Sequence, residues 1–176
     1  MEKLIQQAIA AGADHAFVID VADIPFDTEL RKFCEANRCG KFNRNHACPP
    51  SVGTPEELIA KAREYSSALV IQTISPLEDS FDYEGMMEAG ARHNRMTDEL
   101  YAAIKKQTSR CLPLSAGGCS VCERCAKMDD QPCRFPDKAI SSLEAYCMNV
   151  SQLAEKCNMK YINGVNTVTY FSAILF

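Results

Sequence analysis

No stretch of this chain stays apolar for the ~20 residues that a membrane-spanning helix needs. The first residues, MEKLIQQAIAAGADHA, carry one lysine, and Gln6 and Gln7 interrupt their apolar positions, so they do not read as a secretory signal. Positive charge is also short. The net charge is −4, whereas nucleic-acid binding needs a cationic surface to displace counterions from phosphates. There is no G-x-G-x-x-G, no Walker loop and no H-E-x-x-H. The C-x3-C-x2-C spacing of radical-SAM enzymes is missing too, as are internal repeats and low-complexity segments. Of the three histidines, His15 and His93 have no partner at ligand spacing. No membrane and no nucleic-acid partner is expected.

Cysteine, by contrast, is abundant: ten among 176 residues. Without an export signal the expected compartment is the cytoplasm, where thiols are kept reduced and five disulfides are not expected. Seven of the ten fall into two groups. The later one, GGCSVCERCAKMDDQPCRFP, holds Cys119, Cys122, Cys125 and Cys133. Successive C-x-x-C steps turn neighbouring sulfurs toward one point, and the bacterial ferredoxin run uses three such cysteines, then a fourth and a proline. Here the fourth follows after seven intervening residues, with Pro136 three positions beyond. Gly117 and Gly118 allow close approach of backbone to inorganic sulfide. The pattern favours a [4Fe-4S] cluster. A four-cysteine zinc site is the alternative, although zinc usually takes two C-x-x-C pairs with a longer spacer.

The earlier group, Cys34-x4-Cys39-x8-Cys48-Pro49-Pro50, is less specific. Proline after a ligating cysteine stiffens the ligand's backbone. Three thiols leave a fourth ligand open: Cys111, Cys147, a non-protein group, or cross-ligation between the groups. His46 would complete a zinc site of three cysteines and one histidine. An iron left open to substrate is a further option, and three free thiols in an irregular loop is the plain one. From Arg31 to Arg44 lie five cations and one anion, a local +4 that leaves −8 on the rest of the chain. Cations there would lower thiolate pKa and stabilise an anionic centre. Cys111, Cys147 and Cys157 stand singly in apolar or helical contexts and read as small hydrophobes.

The chain is expected to form one domain over residues 1–176, with 47% apolar residues for its core. Helical spacing marks residues 1–11, 27–36, 83–108 and 150–157, with Gly85 and Gly90 as a possible break in the third. Glu88 with Arg92 and Arg95 with Glu99 offer i,i+4 ion pairs there. Thr54, Pro55 and Glu57 signal a helix start. Strands are expected at 15–21, 68–73 and 111–115, and a hairpin of 159–162 with 165–176 about Asn163-Gly164. The final TVTYFSAILF, apolar on both faces, suits a central strand. The fold class is therefore α/β: a mixed sheet with flanking helices and two inserted cysteine loops, at about 34–53 and 117–136.

In order and spacing, RCGKFNRNHACPP, AGGCSVCERCA, PCRFPDKA and SLEAYCMNV resemble a prokaryotic family of predicted metal-binding proteins of unknown function, common in anaerobes. The likeness runs from about residue 30 onward. It implies that Cys34, Cys39, Cys48, Cys119, Cys122, Cys125 and Cys133 are metal ligands. Cys147 stands where the family tends to have glycine, which argues against a family-wide ligand role for it. His46 stands where an aromatic is common, so a histidine ligand would be peculiar to this protein. The resemblance brings no settled reaction. Two functions follow. One is an iron–sulfur protein with one or two [4Fe-4S] clusters and a redox partner protein, acting in electron transfer or, with an open iron, as an oxidoreductase. The other is a zinc-stabilised structural or interaction module without redox activity.

Overall fold

The structure, a computed structural model, describes residues 1–108 and 110–176. A five-stranded mixed sheet has the strand order β1-β2-β5-β3-β4. β1 (His15–Asp20), β2 (Ser67–Pro76), β5 (Thr167–Leu175) and β3 (Leu112–Ser115) pair antiparallel. The two-residue β4 (Ser141–Ser142) adds a parallel edge. The mixed α/β class expected from the sequence is the class observed.

β2 and β5 are apolar on both faces because both faces are covered. Ala68 and Val70 pack with Leu58 of α3 (Pro55–Ala62), Leu153 of α5 (Val150–Lys156) and Phe171. Leu69 and Ile71 point the other way. They meet Ala8 of α1 (Glu2–Ala10) and Met96, Leu100 and Ile104 of α4 (Tyr83–Lys105). This is the two-residue period of a strand, and each large side chain so buried contributes about 1.5–3 kcal/mol. No helix is long and apolar enough to cross a membrane among the described residues.

The helix signals are borne out where they rest on caps. Glu57 N donates to Thr54 Oγ1 at 3.3 Å and Thr54 N to Glu57 Oε2 at 2.9 Å, closing a capping box on α3. α4 runs unbroken through Gly85 and Gly90. At Gly90 a Cβ would stand 3.1 Å from the Tyr170 ring, whose hydroxyl donates to Met86 O at 2.7 Å. That glycine serves close approach of the helix to β5 and does not break it. Arg92 donates to Ser75 Oγ at 2.8 Å, and neither expected α4 ion pair forms among the described residues.

Two expectations need correction. The helix at 27–36 is divided: Asp27 accepts from Glu29 N at 3.0 Å and caps a 3-10 turn, Thr28–Leu30, ahead of the short α2 (Arg31–Glu35). The terminal hairpin does not form. Both edges of β5 are taken, by β2 and β3, so residues 159–162 have no strand to pair with. The turn lies just after the pair, at Val165 and Asn166, with Gly164 at φ +119° and Asn166 at φ 54°, while Asn163 Nδ2 donates to Lys160 O at 2.9 Å.

Between α4 and the sheet lies a buried polar strip. His93, 1% exposed, has Nδ1 2.8 Å from Thr73 Oγ1, and the Thr97 and Ser172 hydroxyls meet at 2.8 Å. His93 Nε2 has no partner among the described residues. Burial lowers the His93 pKa from 6.5 to about 4. The unfolded chain takes up this proton first, so the stability His93 provides when neutral is present above pH 6.5 and is lost as pH falls toward 4. The loss by about pH 4.5 is expected to be roughly 2–3 kcal/mol. Urea unfolding of the native protein and His93→Gln at pH 7 and 4.5 checks it. Equal acid losses in both would remove His93 as the cause.

Candidate metal centre

The first cysteine loop leaves α2 through Asn37, which is in the left-handed region at φ 52° and accepts from Phe42 N at 3.0 Å. It closes on itself where Asn43 N donates to Pro49 O at 2.8 Å. Cys34 is half-buried, Cys39 exposed and Cys48 buried. Burial first, then the like charges of Cys39 and Cys34, push Cys48 up to about 11, against the pull of Lys41. Burial also raises Cys34; Arg31 opposes it, and Cys39 and Cys147 add to it. The three thiols thus lie near enough for the charge of one to disfavour charge on another.

The late loop follows β3. Its half-buried Cys119, Cys122, Cys125 and Cys133 line one small cavity, closed by Asn45, His46 and the apolar Val121, Phe135 and Ala139. No carboxylate lines it. Such a donor set suits soft or borderline centres such as zinc, copper(I) or iron–sulfur, and not calcium or magnesium. Gly117 at φ +75° turns the chain into the loop. A 3-10 turn, Ala126–Asp129, carries it away from Cys125. Arg134 Nη1 donates to Arg124 O at 2.9 Å, and Arg124 pairs with Asp129 at 2.5 Å.

The two loops are one structure. Asn45, 4% exposed, donates from Nδ2 to Cys119 O at 2.8 Å and accepts from Ala47 N at 2.9 Å. A Cβ on Gly118 would stand 3.0 Å from Cys48 Sγ, so glycine lets the late loop lie on the first without displacing that thiol. A space of about 390 Å³ opens between them, lined by Cys39, Cys119, Cys122 and Cys125 with the cations Lys41, Arg44 and Arg124 and one carboxylate, Glu123. No three His, Cys, Asp or Glu side chains are drawn tightly enough to hold a single metal ion among the described residues. The thiols surround spaces, not a point.

His46 does not stand free for the first group. It lines the late cavity, and its Nε2, which must carry a proton to meet a carbonyl, donates to Gln131 O at 2.8 Å. Cys111 lies apart, in a pocket beside Tyr65 and Lys105. Cys147, 0% exposed, sits behind Cys34 with Arg31, and Cys157 is in the core with burial holding it at about 11. Asn45 carried no signal in the sequence and Arg31 signalled only as one cation of the basic run, because Asn45 bonds a residue 74 positions away and Arg31 bonds residues 22 and 114 positions away.

Residues 17–176 match the family described as predicted metal-binding protein, DUF2284. The chain belongs to this family. No curated protein matches it. Among solved structures it is similar to the crystal structure of epoxyqueuosine reductase with an epoxyqueuosine-modified tRNA-Tyr stem loop. The identity is 15% and the TM-score 0.45, over 98% of this chain and 44% of that one. This DUF2284 chain thus spans less than half the length of that protein. Metal binding is the family's description, and the four-cysteine lining of the late cavity agrees with it.

Proposed function

We propose that this is an iron–sulfur protein acting in electron transfer or a reductive reaction, with a redox protein as partner. Cys119, Cys122, Cys125 and Cys133 would hold a [4Fe-4S] cluster, and Cys34, Cys39 and Cys48 a second centre. The observation that carries this reading is the late group itself: four cysteines at C-x2-C-x2-C-x7-C lining one cavity without a carboxylate. Thiols spread around cavities suit a cluster several atoms wide better than one zinc ion, which draws its sulfurs to about 2.3 Å.

A bound cluster would supply one-electron transfer. The chain's own residues do the rest. Lys41, Arg44 and Arg124 border the space between the loops and offset thiolate charge there. Val121 and Phe135 limit water on the apolar side of the late cavity. Asn45 and Gly118 hold the two loops in register.

Anaerobic purification followed by iron, sulfide and zinc analysis tests the reading. About four or eight irons per chain with matching sulfide and a broad band near ~400 nm are expected. Stoichiometric zinc in colourless protein would replace the proposal with a zinc-stabilised module.

A further inference from the structure

Beside the cysteine cavity, between α3, the end of α4 and the β3–β4 pair, is an open pocket of about 500 Å³. The volume lies in the range of small-molecule sites. Two ammonium groups line it, Lys61 and Lys105, against one carboxylate, Asp137. Neither lysine has an ion-pair partner among the described residues. Lys105 Nζ is 5.4 Å from the centroid of the Tyr101 ring, which fixes the cation beside an aromatic wall.

Tyrosines make the rest of that wall. Tyr65 and Tyr101 face the pocket, and the Arg110 guanidinium carbon lies 4.9 Å from the Tyr65 ring centroid. Tyr146 is 2% exposed overall and lines the pocket, where its hydroxyl makes no hydrogen bond to the described residues and is left to solvent. The hydroxyl is therefore free to meet an acceptor that enters the pocket. Charge on Cys111, Tyr146 or Tyr101 would raise Tyr65 further, after the larger effect of its burial. Cys111, Tyr65, Tyr101 and Tyr146 all line the same pocket.

We infer that this pocket binds a small organic anion, its carboxylate or phosphate taken by Lys61, Lys105 and the Tyr146 hydroxyl and its planar part laid against Tyr65 and Tyr101. Cys133 and His46 line both this pocket and the late cysteine cavity. A ligand here would therefore lie against the outer side of that cavity. A redox role for such a ligand rests on the proposed function, but its binding does not.

Calorimetric titration of the protein as purified, with its metal content measured on the same sample, tests the site with benzoate, phenyl phosphate and the neutral benzamide. Saturable binding of one or both anions is expected, with benzamide about tenfold weaker or undetectable. Benzoate alone would assign a carboxylate site and phenyl phosphate alone a phosphate site. Lys61→Gln and Lys105→Gln should each weaken the anion about fivefold. Tyr146→Phe, which keeps the ring's packing, should weaken it about threefold. Equal affinity for benzamide, no saturable anion binding, or affinity unchanged in the double lysine variant would each overturn the inference. A result of zinc in place of iron would leave it standing.

Discussion

Cys122→Ser, purified without air, is expected to lose the whole late centre: about four irons and their sulfides per chain. Cys122 is the middle of three thiols at two-residue spacing, and its side chain lines the same cavity as Cys119, Cys125 and Cys133. A serine hydroxyl is a hard, weakly acidic donor and a poor substitute for a thiolate on a soft centre. Cys157→Ala is the matched control. Cys157 is 3% exposed within the apolar core, so its loss should lower stability and leave metal content unchanged. Unaltered metal in Cys122→Ser would mean that the late block is not where the metal sits. A loss of zinc alone would keep the ligand assignment and discard the cluster. Because Gly118 and Asn45 tie this loop to the first one, the variant also reports on coupling. Eight irons falling to four would show independent centres, and eight falling to none would show that each loop needs the other.

What the sequence made legible was local. The α3 start was readable because Thr54, Pro55 and Glu57 satisfy their own backbone within one turn. β5 was readable because residues 167–175 are apolar on both faces, which only a covered strand tolerates. Asn163-Gly164 misled for the same reason. The chain turns one step later, at Val165 and Asn166, and a hairpin would need a free strand edge, whereas β2 and β3 already occupy both edges of β5. The site divides similarly. The spacing of the late cysteine group pointed to a cluster, while that of the first group was less specific. That the groups share one wall depends on a contact between Asn45 and Cys119, and on a glycine facing Cys48. The tyrosine-and-lysine pocket gathers residues from 61 to 146, each ordinary in its own segment.

Arg31 is the clearest case of a residue whose role no local pattern shows, and its replacement should be among the most costly in the chain. It is 7% exposed and donates from Nη1 to Gly53 O at 2.9 Å and from Nη2 to Ala145 O at 3.1 Å. It thereby ties the start of α2 to the end of the first cysteine loop and to the segment ahead of Cys147. Hydrogen bonds from a charged group contribute about 1.5–3 kcal/mol each. Arg31→Met, which leaves both carbonyls without this donor, should therefore cost about 3–5 kcal/mol, a large part of a typical domain's 5–15 kcal/mol. Arg31→Lys keeps the charge but cannot span two carbonyls with a planar fork, and should cost roughly half as much. Urea midpoints measured on samples of equal metal content separate stability from loading. The same cation lowers the thiol pKa of Cys34 and of Cys147, so it also favours the anionic state of the first group. In the methionine variant the first centre should consequently load less completely than the late one, even below the urea concentration that unfolds it. Unchanged stability in both variants would show that Gly53 and Ala145 find other donors and that Arg31 does not pin the loop. A loading defect that Arg31→Lys corrects while stability stays low would assign the electrostatic part to charge and the structural part to the fork.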